Sequence, residues 1–315
     1  MHRLAGVVAA VAVVALGALL LTVGAEAFAE HVVPAARVVG LSVFGFAVLA
    51  AGAEPEEAWT AAVAAAQERP DLAAGDAVGA NLVIATVTLG LLALVTPFVV
   101  TRTVLRYAVL ATVTAVGALL VISDSRVTRL EGGVLVVVYA VIVAVLWRRE
   151  RRPPAIGEMA EMTNLADDPP SFRAVGWVVA GLTIMVVGGV VAVEGAQQFV
   201  AASGLSDSAV GLTLLALATS AEMLALVWSA RRRSLPDVAL AGVVGAVIYN
   251  ASVTLGVAGL VRPLQLSTGV AVHAVGTVVV VAMALLAAAY GRQVDRVAGM
   301  VLVVAYVATV VLLLR

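Results

Sequence analysis

The sequence predicts an all-α polytopic membrane protein of about ten transmembrane helices in two inverted five-helix repeats. Three observations carry that reading. Of 315 residues, 63% are hydrophobic and 12% charged, against about 25% charged in a typical soluble domain. Apolar runs recur along the whole chain, each near the roughly 20 residues that a helical span needs. Two stretches on either side of a charged middle segment repeat one pattern at a constant offset.

Runs between charged or turn-rich breaks place spans at 5–27, 33–54, 73–99, 103–123 and 129–148, then at 174–201, 207–230, 237–260, 267–290 and 294–314. The first has the look of a secretory signal, with Arg3 ahead of a small-residue apolar run. It outlasts an ordinary signal core, and Glu26 and Glu30 follow without a convincing cleavage site, so it reads as a mature span. Between the fifth and sixth spans, 149–172 carries Arg149, Arg151 and Arg152, several acids, and the proline pairs Pro153-Pro154 and Pro169-Pro170. Charge and paired prolines mark a linker. It divides the chain into five-span halves, 1–148 and 173–315. Thirteen of the 19 arginines, among them Arg102, Arg148 and Arg231 to Arg233, fall on the linker's side of the membrane. That bias predicts a cytoplasmic linker and both termini outside. Five is odd, so the second half runs inverted to the first. Trp59, Trp147, Trp177 and Trp228 read as interfacial anchors.

Composition excludes other classes. Cysteine is absent, which removes disulfides, thiolate nucleophiles and cysteine-held metals. His2, His31 and His273 are dispersed, so neither a zinc cluster nor a hydrolytic constellation is expected. An enzyme is therefore disfavoured, and no feature requires an organic cofactor. Net charge is −1 without a long basic tract, so nucleic acid is not an expected partner. Membrane lipids are expected partners, and no obligate protein partner is evident.

The repeat supplies the functional signal. Residues 43–90 superpose without a gap on 209–256, an offset of 166. Gly45 meets Gly211, Glu56 meets Glu222, Pro70 meets Pro236, Asp71 meets Asp237, and the closing VTLG of 87–90 meets that of 253–256. Small residues also serve close helix packing, but packing does not explain a repeated glutamate. Inverted-repeat transporters place broken helices and the substrate site at the repeat interface near the midplane. Gly52 and Pro55 are the expected interruptions in the first half, and Thr219 and Ser220 occupy the corresponding stretch of the second. Carboxylates in a membrane face a cavity or a partner, which singles out Glu56, Glu222 and Asp76. Glu54 and Glu57 share a helix face by their spacing, whereas Glu56 points elsewhere. Glu57 joins the candidate set, and Glu54 is expected to cap a broken segment or to line an access path. Asp76 faces Gly242 in the repeat, Asn81 faces Val247, and Asn250 faces Ile84. Each amide either ligates a cation through its oxygen or hydrogen-bonds a carboxylate.

At these residues the sequence resembles the calcium/cation antiporter superfamily, which contains the sodium/calcium exchangers. Its alpha-repeats carry a GLT-like run, a Gly-Thr-Ser-x-Pro-Glu segment and a later Gly-Asn-x-x-Gly-Ser-Asn segment. The first repeat resembles this through Gly45, Gly52, Pro55, Glu56, Glu57, Gly75, Asp76, Gly79, Ala80 and Asn81. The second does so through Gly211-Leu212-Thr213, Thr219-Ser220, Glu222, Gly242, Gly245, Ala246 and Asn250. The chain departs from the pattern where Met223 stands opposite Glu57, Asp76 replaces a common Asn, and Ala47 lacks the hydroxyl of Thr213. Glu26 and Glu194 lie in segments resembling the family's gating helices.

The resemblance implies a sodium/calcium exchanger-like fold and secondary active antiport in a prokaryotic plasma membrane. The transported ions are then calcium against sodium or protons, by alternating access through a midplane carboxylate site. The metal-ligating set it implies is Glu56, Glu57, Asp76, Asn81, Thr219, Ser220, Glu222 and Asn250. The alternatives are an antiporter for another cation and a degenerate, nontransporting membrane scaffold.

Overall fold

The computed structural model describes residues 2–39, 54–150, 171–220, 223, 236–267 and 269–314. Gly45, Ala47, Gly52, Glu222, Trp228, Arg231 to Arg233 and most of the 149–172 linker lie outside the described residues. Eight described helices are long and apolar enough to cross a membrane. The expected spans 33–54 and 207–230 fall partly outside the described set.

The first half comprises α1 (His2–Val39), α2 (Pro55–Ala66), α3 (Pro70–Leu82), a π-helical segment π1 (Val83–Thr88), α4 (Leu89–Val95), α5 (Arg102–Val121) and α6 (Arg129–Glu150). The second comprises α7 (Phe172–Ser203), α8 (Asp207–Val210), π2 (Gly211–Leu215), α9 (Ala216–Thr219), α10 (Pro236–Tyr249), π3 (Asn250–Thr254), α11 (Leu255–Val261), α12 (Gly269–Ala288) and α13 (Arg296–Leu313). The local causes are ordinary. Pro55, Pro70 and Pro236 each open a helix, where a fixed φ helps and no N–H is lost. The N-cap side chains of Thr101, Ser206 and Asp295 accept from Val104, Ala209 and Ala298 N–H groups. Gly204, at φ +79°, closes α7 in a left-handed conformation that suits glycine.

The repeat offset survives folding. Displaced by 166 residues, Leu89–Val95 becomes Leu255–Val261, and the two-residue strand β1 (Phe98–Val99) becomes β3 (Leu264–Gln265). Two antiparallel clips join the halves. β1 pairs with β4 (Gln293–Val294), and β2 (Arg126–Val127) pairs with β3. The 20 residues of α5 separate β1 from β2, about 30 Å of helix, so the clips sit at opposite ends of the molecule. Helix packing exchanges between halves in the same way. A Cβ on Gly90 of α4 would meet Gly299 O of α13 at 2.9 Å, and one on Gly256 of α11 would meet Gly132 O of α6 at 2.7 Å. Lipid supplies no hydrophobic drive between helices, so close backbone approach through small residues carries the association.

The long helices α1 and α7 form a pair beside this core. Gly181, Gly188 and Gly195 recur every seven residues, close to two turns, and back onto the α1 main chain around Gly24 to Phe28, Leu21 and Val14. The expected break between 27 and 33 is not a helix end: α1 runs unbroken through Glu26, Glu30 and Pro34. Ala and Glu are strong helix formers, so charge interrupts the hydropathy there without interrupting the helix. At 38 residues, about 57 Å, α1 is longer than the roughly 30 Å apolar layer requires. In the 18-residue apolar window of Leu240–Val261, 89% of the residues are buried, against 6% in that of α13. The polar centre therefore lies among the inner helices.

Candidate ion-binding site

Helix α2 begins at Pro55 with Glu54 at its N-cap. The Glu54 carbonyl accepts from the Glu57 and Ala58 N–H groups at 3.2 and 3.4 Å. Its side chain makes no capping bond and turns inward, fully buried. Glu56 and Glu57 follow in the first turn, each 1% exposed. Acids here face the positive end of the helix dipole.

Asp76 and Asn81 come from α3, whose Gly75 and Gly79 let it approach π2 at backbone contact. A Cβ on Gly79 would lie 2.7 Å from Leu212 Cα, and one on Gly211 would lie 3.1 Å from Gly75 Cα. That approach brings the end of α9 over α3. Three pairs then cross between the halves. Thr219 Oγ1 donates to Asp76 Oδ1 at 3.2 Å, Ser220 Oγ donates to Glu57 Oε1 at 2.8 Å, and Asn250 Nδ2 donates to Glu54 Oε2 at 3.2 Å. In each pair the first half supplies the carboxylate and the second supplies a neutral donor. Asp76 Oδ2, Glu57 Oε2 and Asn81 Oδ1 are buried without a hydrogen-bond partner among the described residues. Buried carboxylate oxygens are costly unless charge or hydrogen bonds compensate them.

The structure thus brings together Glu57, Asp76, Thr219, Ser220 and Asn250. Glu56 is buried on the same turn, about 100° around the helix from Glu57, and its carbonyl accepts from Thr60 Oγ1 at 2.7 Å. Asn81 lines a small cleft that Asn250 also lines, walled by Val78, Ala115, Leu119 and Gly276. Asn250 turns its oxygen to Thr254, whose Oγ1 donates at 2.7 Å. Among the described residues no three His, Cys, Asp or Glu side chains gather as a metal-holding group. The sequence marks Glu54 only as a cap or an access-path residue, and nothing in it singles out Thr254. The available signal was the three-residue spacing of Glu54 and Glu57. The repeat pointed instead to Glu56. Glu26 and Glu194 are exposed, and Glu194 Oε1 accepts from Gln198 Nε2 at 3.2 Å.

Comparison with known proteins follows the same halves. The profile described as sodium/calcium exchanger protein matches residues 9–148 and 173–315. The Alkalimonas amylolytica protein named "Putative antiporter CaxA" is 28% identical over 306 residues, covering 93% of this chain and 95% of that protein. Inner membrane protein YrbG of Escherichia coli is 29% identical over 231 residues, covering 70% of each. A solved structure of the sodium-calcium exchanger NCX_Mj superposes with a TM-score of 0.61 at 23% identity, covering 97% of this chain and 99% of that one. The likeness places this chain in the same two-repeat, all-α membrane fold. Its relatives include bacterial and archaeal proteins, as expected for an integral protein of a prokaryotic plasma membrane. Matched through both halves, the chain belongs to the sodium/calcium exchanger protein family, within the calcium/cation antiporter superfamily.

Proposed function

We propose that this integral membrane protein is a secondary active antiporter exchanging calcium for sodium or protons by alternating access. Family membership and the descriptions of its relatives as antiporter and sodium-calcium exchanger support the reaction class. The observation that carries the reading is the crossing of Glu57 and Asp76 onto Ser220 and Thr219, carboxylates of one half held by hydroxyls of the other. A hydroxyl both donates and accepts. Ser220 and Thr219 donate to the carboxylates here, and with a cation bound the same oxygens turn their lone pairs to it. Glu56, Glu222, Asn81 and Asn250 complete the proposed set around this centre, as ligands or their immediate supports. Carboxylates and neutral oxygens suit a hard cation such as calcium. Once the cation leaves, like charges in a low-dielectric pocket call for other compensation, which sodium or protons provide, and exchange follows. In this reading the halves 1–148 and 173–315, joined by a cytoplasmic 149–172 linker, form the inverted repeats. α1 and α7 move against the core to alternate access.

The test is calcium flux into sealed vesicles containing the purified protein, driven by a sodium gradient or a proton gradient. Wild type is expected to exchange calcium under one of them, which identifies the counter-ion, and Glu57→Gln and Asp76→Asn are expected to abolish that flux. Glu56→Gln and Glu222→Gln measure the part of the repeated glutamates. Absence of ion-driven flux in well-folded wild type would reject antiport, and exchange of another cation alone would reject calcium.

A further inference from the structure

We infer that Glu54 ligates the cation beside Glu57 at the start of α2, and that Asn250 and Thr254 hold it in position. The inference rests on the antiporter reading above and specifies which groups set its preference for a divalent ion. Glu54 occupies an N-cap position, where a carboxylate ordinarily bonds the first N–H groups of its helix. Here it makes no such bond and is fully buried, with Oε2 accepting from Asn250 Nδ2 at 3.2 Å. An ionised carboxylate only accepts, so the amide nitrogen of Asn250 must be the atom facing it. The amide oxygen is then committed to Thr254 Oγ1 at 2.7 Å, and Thr254 is itself fully buried. Asn250 cannot offer that oxygen to a cation without surrendering both bonds, which makes it a positioning residue.

A second observation points to the occupant. Glu57 lies three residues after Glu54 at the same end of α2, and its Oε1 accepts from Ser220 Oγ at 2.8 Å. Its Oε2 is buried and has no hydrogen-bond partner among the described residues. Two carboxyls at one helix end, with Asp76 on the adjoining helix, concentrate negative charge from the first half. Among the described residues, the hydrogen-bond donors that meet them from the second half, Thr219, Ser220 and Asn250, are neutral. Such a site favours a small divalent cation over a monovalent one by charge count. The repeat partners of Glu54 and Asn250 are Ser220 and Ile84, so this arrangement is built once.

The experiment uses the full-length protein and calcium chloride as the probe. It measures the half-saturating calcium concentration and maximal rate of vesicle flux, and the calcium-dependent rise in melting temperature in detergent. Asn250→Leu is expected to raise the half-saturating concentration about tenfold with the maximal rate retained, within the 10–100-fold cost of removing a group that orients a metal ligand, and Glu54→Gln, which removes the ligand itself, by about a hundredfold or more. Glu54→Asp should keep calcium-dependent stabilisation. Wild-type half-saturation and stabilisation in Glu54→Gln, alongside their loss in Glu57→Gln, would overturn the role of Glu54 and leave the antiporter reading standing. If Glu54→Gln does not fold, Asn250→Leu decides: an unchanged half-saturating concentration overturns the inference. A wild type with neither flux nor calcium stabilisation fails at the antiporter reading itself.

Discussion

Gly79→Ala tests whether the approach of α3 to π2 assembles the site. The added Cβ would lie 2.7 Å from Ala216 Cβ, Leu212 Cα and Leu212 O, whereas ordinary contact begins at 3.4 Å. Two of those three atoms are backbone, so no side chain can swing aside, and the helices must part by the difference, 0.7 Å. Overpacking of this kind costs about 1–3 kcal/mol, and replacing a mid-helix glycine returns about 0.5–1 kcal/mol. The net expectation is destabilisation of up to about 2.5 kcal/mol, centred at roughly 1, and a melting temperature a few degrees lower. The same displacement would stretch the 3.2 Å bond between Thr219 and Asp76 beyond hydrogen-bonding range, so calcium-dependent stabilisation should weaken too. Gly117→Ala is the control: it is mid-helix in α5 with nothing within 4 Å of its added Cβ, and it should match or exceed wild type. Both quantities are read from melting curves with and without calcium. A Gly79→Ala protein as stable and as calcium-responsive as wild type would refute the reasoning.

Ser220→Ala removes the donor to Glu57 Oε1. Depriving a buried acceptor of its partner costs about 1–3 kcal/mol, so weaker calcium-dependent stabilisation is expected, with Ser220→Thr restoring it. Identical calcium titrations for the alanine variant and wild type would count against the pairing. On the α1–α7 pair, a Cβ on Gly188 would sit 2.7 Å from Leu21 N, whereas one on Gly176 meets nothing within 4 Å. Thermal unfolding should therefore separate the two alanine variants, Gly188→Ala melting lower than Gly176→Ala, and equal melting would contradict tight packing there.

Much of this architecture was legible before folding because bilayer chemistry is severe. Spans must be apolar and internally hydrogen-bonded, so hydropathy locates most helices to within a few residues, α4 and α11 end in register at the repeat offset, and Pro55, expected to interrupt a helix, opens α2. The continuity of α1 through Glu26 to Pro34 was not legible, because hydropathy registers charge and helix propensity does not. The two-residue clips were equally invisible, being far shorter than any alternating pattern. At the site, Glu57, Asp76, Thr219 and Ser220 emerged as candidates from residue type and repeat position. Their pairing did not, since Ser220 meets Glu57 from 163 residues away.

The sequence by itself therefore determined a membrane protein of duplicated, inverted halves with acids retained in apolar spans. Each of these follows from local composition and from a repeat that survives as letters. Only the tertiary structure decided which acid meets which donor. That depends on where helices break and wind into π segments, and on how closely Gly75, Gly79 and Gly211 let two backbones approach. A π turn carries an extra residue and so rotates every later side chain. Repeat alignment singles out Glu56, whose repeat partner Glu222 lies outside the described residues, and the folded geometry sets Glu54 and Glu57 against Asn250 and Ser220. Hydrogen bonds across an interface reward geometry that no periodicity records.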